Sequence, residues 1–244
     1  MIVEKKFYVG FRMVDEALKI KSGELLNLFT DIAGIHSESV GYKFGEGDVR
    51  WLLVGYSVKF FDKPKYSQEI TLRTWSRDYT PAFAIREFEV LSDTGVVLAI
   101  AMCHFVRYNI ALMKLEKITD DGMAGYVTEN DRSNFDFKKL KRLVEPTNFD
   151  GEIAFEVDWR WIDLNRHLNN SHYVDLAERV ILDAYGVDVS GFDFDVTYKA
   201  QIKEGEKIRC KYSKTDEGYT VIYKSMDDKV LHGGVTFFRE EITK

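Results

Sequence analysis

The chain has 244 residues, 45% of them apolar and 14% aromatic, with a formal net charge of −6. That length supports one large domain or two ordinary ones, each with a sizeable core. The acidic balance disfavours nucleic acid as a partner.

The distribution of apolar and cysteine residues indicates a compartment. Residues 1–11 do not resemble a signal peptide, because charged residues interrupt their apolar residues. No apolar run approaches the roughly 20 residues that a membrane helix needs. Cys103 and Cys210 lie in separate apolar, strand-like runs and form no metal or redox motif. We therefore expect two buried thiols in a cytoplasmic protein that makes no membrane contact.

The first half begins with FYVGFRMVD (7–15) and continues into a predicted helix over 24–41. The apolar stripe of this helix has helical spacing and consists of Leu25, Leu28, Phe29 and Ile32. Predicted strands follow at 54–61 and 68–76, then a hairpin signal, SDTG, at 92–95 and a return strand that ends in 103–109.

A polar, charge-rich stretch at 119–151 separates the halves and is predicted to be a linker. Within it, the cluster KKLKR (138–142) is either a solvated charge run or a docking patch for an acidic partner.

The second half repeats the first. FEVDWRWID (155–163) matches 7–15, with Phe7 and Phe155 standing 148 positions apart. At the same offset, an amphipathic helix predicted over 173–185 aligns with the first helix. The predicted strands at 194–202 and 206–213, the turn at 226–228 and the return strand at 234–241 correspond to those of the first half.

A single helix covers one sheet face only if the sheet curls around it. Two such units predict an α+β protein with a tandem (double) hot-dog fold, in which each half is a long helix wrapped by a curved antiparallel sheet. The expected divisions are 1–118, a linker at 119–151, and 152–244.

The candidate site is DLNRHLNN (163–170), which carries Asp163, Asn165 and His167 at alternate positions. The first half keeps the acid as Asp15 but has Ala17 and Lys19 in place of the amide and the imidazole. In an extended segment the three side chains would project to one side. A carboxylate, an amide and an imidazole suit activation of a water and polarisation of a carbonyl.

Other interpretations of this region are weaker. A metal site that adds His172 is disfavoured because asparagine is a poor ligand beside histidine. Asn169, Asn170 and Ser171 are typical of a helix N-cap, and the unpaired N–H groups of that helix could stabilise an oxyanion. The sequence contains no G-x-S-x-G, phosphate-loop or dinucleotide motif, so we expect no metal and no cofactor.

The pattern D-x-N-x-H-x-N-N-x-x-Y, from Asp163 to Tyr173, resembles the acyl-acyl carrier protein (acyl-ACP) thioesterase family of plants and bacteria. LLNLFTDIAGIHSESVGY, RWLLVGYSVKFFDKP and ITLRTWS extend the resemblance through the first half. It implies a hydrolase that releases a free fatty acid from acyl-ACP and ends chain elongation, with Asp163, Asn165 and His167 as its site residues. Gln201 stands where the family usually has a glutamate; it cannot act as a base but can position a water.

The resemblance also implies that the first half binds the acyl chain and the second is catalytic. The apolar residues expected at the chain are Leu25, Leu28, Phe29, Ile32 and Trp51. The implied partner is an acidic carrier protein, for which the candidate contacts are KKLKR, Lys199, Lys203, Lys207, Arg209 and Lys211.

Three alternatives stay open at this stage: a hot-dog acyl-CoA thioesterase, a non-catalytic fatty-acyl binding module, and, more weakly, a dehydratase. The tandem pair could suffice as a monomer or assemble into a homodimer.

Overall fold

The structure, a computed structural model, describes residues 1–238. The chain divides into two compact units. The first comprises Met1–Ile20 and Asn27–Leu140, and the second comprises Lys21–Leu26 and the chain from Lys141 onward.

The first unit is an antiparallel sheet in the order β1-β3-β4-β5-β2, with β6 paired to β5. Its strands are β1 (Ile2–Tyr8), β2 (Val49–Phe60), β3 (Glu69–Tyr79), β4 (Ala84–Leu91), β5 (Val97–Asn109) and β6 (Lys114–Glu116). Helix α1 (Ser22–Ser39) packs on this sheet through Phe29, whose ring stacks on Phe88 at 4.6 Å between centroids.

The second unit repeats this plan with the order β8-β11-β10-β9-β7, again antiparallel. Its strands are β7 (Gly151–Glu156), β8 (Asp193–Tyr198), β9 (Lys207–Lys214), β10 (Gly218–Ser225) and β11 (Leu231–Phe238). The last residues of the return strand predicted at 234–241 lie outside the described residues. The helix of this unit is α3 (Asn170–Tyr185), which ends at Gly186 with a φ of 66°.

The helix α3 is held to its sheet by aromatic side chains. The Tyr173 ring meets the rings of Tyr198 on β8 and Tyr223 on β10 edge-on, both at 5.1 Å between centroids. The Tyr223 hydroxyl donates to the Tyr173 carbonyl. The apolar face predicted for this helix is therefore the buried one.

The two units have the same strand order and the same local entry to the helix. A short 3-10 helix precedes each long helix, Phe11–Met13 in the first unit and Trp159–Trp161 in the second. The long helices begin at Ser22 and Asn170, again 148 positions apart. The predicted duplication and the α+β double hot-dog fold are confirmed.

The stretch predicted as a linker contains α2 (Asp120–Met123), a 3-10 helix at Ala124–Tyr126 and a segment, residues 129–138, that lies along the first sheet. Glu87 on β4 accepts from the Asn134 N–H at 2.7 Å and from Arg77 at 2.7 Å. The Asn134 side chain also donates to the Phe88 carbonyl at 3.3 Å, so a polar side chain of this segment helps to fix it to the sheet.

Candidate active site

The residues of the candidate site form a tight turn between the 3-10 helix and α3. The Asp163 N–H donates to the His167 carbonyl at 2.8 Å, and the Arg166 N–H donates to the Asp163 carbonyl at 2.9 Å. Arg166 has a φ of 64°, in the left-handed region. The prediction of an extended segment was wrong, because hydrogen bonds between the aspartate and nearby backbone groups favour a turn over a strand.

The turn nevertheless gathers polar groups around the Asp163 carboxylate. Its Oδ1 accepts from the N–H groups of Asn165, at 2.8 Å, and His167, at 3.3 Å. Its Oδ2 accepts from the side-chain amide of Asn165 at 3.3 Å. The Asn165 side chain is exposed, and those of Asp163 and His167 are half-buried. The carboxylate therefore sets the backbone path and orients the Asn165 amide.

The first unit contains the same turn without the amide and the imidazole. The Asp15 N–H donates to the Lys19 carbonyl at 2.9 Å, and Asp15 Oδ1 accepts from the Lys19 N–H at 2.9 Å. Leu18 has a φ of 60°, close to that of its counterpart Arg166. The aspartate is thus a turn-forming residue in both units, whereas Asn165 and His167 are particular to the second.

The entry to α3 is capped as its sequence predicts. Asn169 Oδ1 accepts from the Ser171 N–H at 3.1 Å and from the Ser171 hydroxyl at 3.2 Å. The Asn170 carbonyl accepts from the Tyr198 hydroxyl at 3.0 Å. The cap satisfies one of the free N–H groups at this helix end and leaves the positive end of the helix dipole beside the turn.

Gln201 is brought next to the turn by a backbone contact. The Leu168 N–H donates to the Ile202 carbonyl at 2.8 Å, so the residue after Gln201 meets the residue after His167. The Gln201 side chain is exposed. This proximity joins residues far apart in the chain and is invisible to sequence spacing.

Two further residues support the loop that carries Gln201. The Ala200 carbonyl accepts from the Tyr173 hydroxyl at 3.4 Å and lies 3.3 Å from His232 Nδ1. The His232 carbonyl also accepts from the Lys199 N–H at 2.8 Å. The sequence placed Tyr173 at the start of the amphipathic helix, and no motif gave a signal for His232.

His172, considered as a metal ligand, pairs instead with Asp175, 3.1 Å from Nδ1 to Oδ2. Its ring also lies 5.9 Å from that of Trp161. Within residues 1–238, no group of three or more His, Cys, Asp or Glu side chains is arranged to hold a metal ion.

Of the five residues expected at the acyl chain, one lies at a cavity of the first unit. Trp51 lines a space of about 240 Å³, facing Tyr126 at 6.3 Å between ring centroids. The other four are buried in packed core and do not line this cavity: Leu25, Leu28, Phe29 and Ile32.

Several cations expected to meet the carrier protein have acidic neighbours. Arg209 and Lys211 both contact Asp228, at 3.1 and 3.5 Å, and Lys207 lies 3.7 Å from Glu156. In the cluster 138–142, Lys138 pairs with Asp78 at 2.6 Å. These ion pairs reduce the net positive charge that the second sheet and this cluster offer to a partner.

Two units in which one helix is wrapped by an antiparallel sheet, with the duplicated turn modified in only one of them, define a double hot-dog protein with one distinctive polar turn. Models of the N-terminal and C-terminal domains of acyl-ACP thioesterases match residues 1–126 and 145–239, respectively. The chain belongs to the acyl-ACP thioesterase family and is a thioester hydrolase that acts on fatty acyl-ACP.

Solved structures share the whole fold at low sequence identity. An acyl-ACP thioesterase from Bacteroides thetaiotaomicron is 18% identical, with a TM-score of 0.82 and 97% of each chain covered. A 12:0-ACP thioesterase from Umbellularia californica is 17% identical, with a TM-score of 0.79 and coverage of 97% of this chain and 96% of that one. A Lactobacillus plantarum protein described as an oleoyl thioesterase is 21% identical, with a TM-score of 0.80 and coverage of 97% and 95%.

No curated protein has a sequence that matches the chain significantly. None of the helices in residues 1–238 has the length and apolar character needed to cross a membrane.

Proposed function

We propose that the turn from Asp163 to His167 is where this enzyme hydrolyses the thioester. His167 accepts a proton from a water as the water oxygen attacks the thioester carbonyl carbon. The Asn165 amide donates to the oxygen that becomes negatively charged, assisted by the N-terminal N–H groups of α3. Gln201 helps to position the water.

The reaction needs no covalent enzyme intermediate. The tetrahedral intermediate collapses as the C–S bond breaks, and the leaving sulfur takes the proton held by His167. The products are a free fatty acid and the carrier thiol. Asp163 neither gains nor loses a proton during the reaction, because its role is to hold the turn and the Asn165 amide.

The observation that carries this assignment is the difference between the two turns. Both have the aspartate and its backbone hydrogen bonds, so the fold accounts for Asp15 and Asp163. The fold does not account for the amide and the imidazole of the second unit, because the first unit makes the same turn with Ala17 and Lys19 at the equivalent positions.

We further propose that the first unit receives the acyl chain at its cavity, where Trp51 and Tyr126 supply apolar wall. This assigns acyl binding to residues 1–118 and catalysis to 152–244, with 119–151 between them. The enzyme would end fatty acid synthesis in the cytoplasm, either as a monomer or as a homodimer.

The test compares His167→Ala and Asn165→Ala with Lys19→Ala, the change at the first-unit position equivalent to His167. Release of free thiol from a panel of acyl-ACPs of varied chain length is measured. We expect kcat to fall about 100-fold or more in the first two variants and to stay near the wild-type value in the third. Near-wild-type kcat in both His167→Ala and Asn165→Ala would refute the site.

A further inference from the structure

The hairpin formed by β5 and β6 in the first unit presents large apolar side chains to solvent. Strand β6 pairs with the last three residues of β5, from Arg107 with Glu116 to Asn109 with Lys114. The exposed fractions of the four large apolar side chains at this end are 43% for Ile110, 59% for Leu112, 74% for Met113 and 64% for Leu115. Single exposed apolar side chains are ordinary on a protein surface, whereas a contiguous group of them marks a contact site.

One buried side chain fixes the conformation of this hairpin end. Asn109 Oδ1 accepts from the Leu112 N–H at 2.9 Å, and Asn109 Nδ2 donates to Glu116 Oε1 at 2.8 Å. The Tyr108 hydroxyl also donates to Met113 Sδ at 3.7 Å. The apolar side chains are therefore displayed by an ordered turn, so that a contact made by them costs little backbone entropy.

The charges at the same end are mainly positive. Lys114 and Lys117 are exposed and have no ion pair among the described residues. Glu116, the acid of this hairpin end, is offset by Arg107 at 3.7 Å. The nearest loop, joined to the hairpin by a backbone hydrogen bond, adds the carboxylate of Asp48. Two lysines against one acid make a locally basic surface on a chain whose formal net charge is −6.

Exposed apolar side chains beside unpaired lysines fit an anionic lipid bilayer. The apolar groups can enter the boundary between headgroups and acyl chains, while the lysines are attracted to the anionic headgroups. A second copy of the chain fits less well, because a two-fold contact would bring the lysines of both copies together. An acidic globular partner would need a groove shaped to receive four apolar side chains, whereas a bilayer deforms around them.

We propose that residues 110–117 dock this enzyme reversibly on an anionic lipid bilayer. The reaction gives such docking a use, because the product is a free fatty acid whose apolar chain favours a bilayer over water. The docking end also adjoins the cavity of this unit, since Arg107 lines the cavity and pairs with β6. The expectation of no membrane contact rested on the lack of a spanning segment, which docking at a surface does not need.

The experiment measures co-sedimentation of the full chain with sucrose-loaded vesicles of phosphatidylcholine, alone or mixed with phosphatidylglycerol. We expect the partition coefficient on the mixed vesicles to fall about tenfold or more in Leu112→Ser/Met113→Ser, which removes apolar contact. Lys114→Gln/Lys117→Gln should weaken binding to the mixed vesicles and leave binding to phosphatidylcholine alone unchanged.

Val96→Ser is the matched control for a change at an exposed apolar residue. Val96 is 60% exposed, close to the 59% of Leu112, but it lies before the opposite end of β5. This variant should bind the mixed vesicles as the wild type does.

Absence of wild-type binding to the mixed vesicles, or wild-type binding by Leu112→Ser/Met113→Ser, would overturn the proposal. Hydrolysis of acyl-ACP without vesicles is the second measurement, and we expect that double variant to keep the wild-type kcat and KM. A raised KM without loss of vesicle binding would assign the hairpin to the carrier protein instead. Loss of self-association without loss of vesicle binding would assign it to a second copy, and either result would also overturn the proposal. The vesicle assay uses no substrate, so its outcome is independent of the catalytic assignment.

Discussion

Asp15 and Asp163 make the same turn 148 positions apart, and in each turn the aspartate N–H donates to the carbonyl four residues on while its carboxylate accepts from the N–H of that residue. Only the second turn adds hydrogen bonding between the carboxylate and an asparagine side chain. The pair therefore separates what an aspartate does for the fold from what it does for the site.

Replacing each aspartate by alanine should expose that separation. Both Asp15→Ala and Asp163→Ala lose backbone hydrogen bonds, and we expect each to lower the free energy of unfolding by about 1–2 kcal/mol. Only Asp163→Ala should also lower kcat, by about 10-fold to 100-fold, because the Asn165 amide loses its acceptor. Urea unfolding and acyl-ACP hydrolysis measure the two effects, and equal kcat losses in both variants would contradict the assignment.

Gln201 offers a change toward the residue type that the family usually carries. The backbone contact between Leu168 and Ile202 brings the residue that follows Gln201 to the end of the turn. We expect Gln201→Glu to raise kcat by up to about tenfold, since a carboxylate can share the proton held by His167. Gln201→Ala should lower kcat by less than tenfold, roughly the effect of losing a group that only positions a water.

Glu204→Ala, an exposed change on the same loop, is the control for loop disturbance. A hundredfold loss in Gln201→Ala would show that Gln201 takes a larger part in the chemistry than positioning.

The duplicated fold was predictable because its evidence is periodic. Matching residues at a constant offset, such as Phe7 and Phe155, established both units, their helices and the strands that follow each helix along the chain. The conformation of the site was not predictable in this way. Alternate polar residues fit an extended strand, and nothing in their spacing reveals that the Asp163 carboxylate bonds nearby N–H groups.

Long-range contacts account for the other differences. The apolar stripe of α1 predicts a buried face, but burial alone does not distinguish packing against Phe88 from lining a cavity, as Phe29 shows. Likewise, the polar composition of 119–151 does not reveal that Asn134 meets a buried acid on β4.

That buried acid should contribute strongly to the stability of the first unit. Glu87 is fully buried, and its Oε1 is 2.7 Å from Arg77 Nη1 while its Oε2 accepts from the Asn134 N–H. Glu87→Gln keeps an acceptor for Asn134 but leaves Arg77 as an unneutralised buried charge. We expect the free energy of unfolding to fall by about 3–5 kcal/mol.

The double variant Arg77→Met/Glu87→Gln removes that stranded charge and should lose less than Glu87→Gln alone. Urea unfolding of the two single variants and the double variant forms the cycle. Strictly additive losses would show that the two side chains do not interact.

Two buried histidines should make the folded state sensitive to acid. Burial lowers the pKa of His104 to about 4, and burial with the Arg86 charge lowers that of His36 to about 3. Both rings thus stay neutral in the folded state where the unfolded chain, titrating near 6.5, binds protons. The resulting stability is fully present above the unfolded pKa and is lost as the pH falls toward the folded values.

The expected loss between pH 7 and pH 5 is about 2 kcal/mol for each histidine, from about 1.4 kcal/mol per pH unit once the unfolded ring is protonated. His104→Gln keeps a donor for the Lys138 carbonyl, 3.0 Å from His104 Nε2, and His36→Gln keeps an acceptor for Arg86. Urea unfolding of the double variant at both pH values should show a pH-dependent loss smaller than that of the wild type by about 4 kcal/mol. Equal losses in the two proteins would mean that these histidines are protonated in the folded state at pH 5.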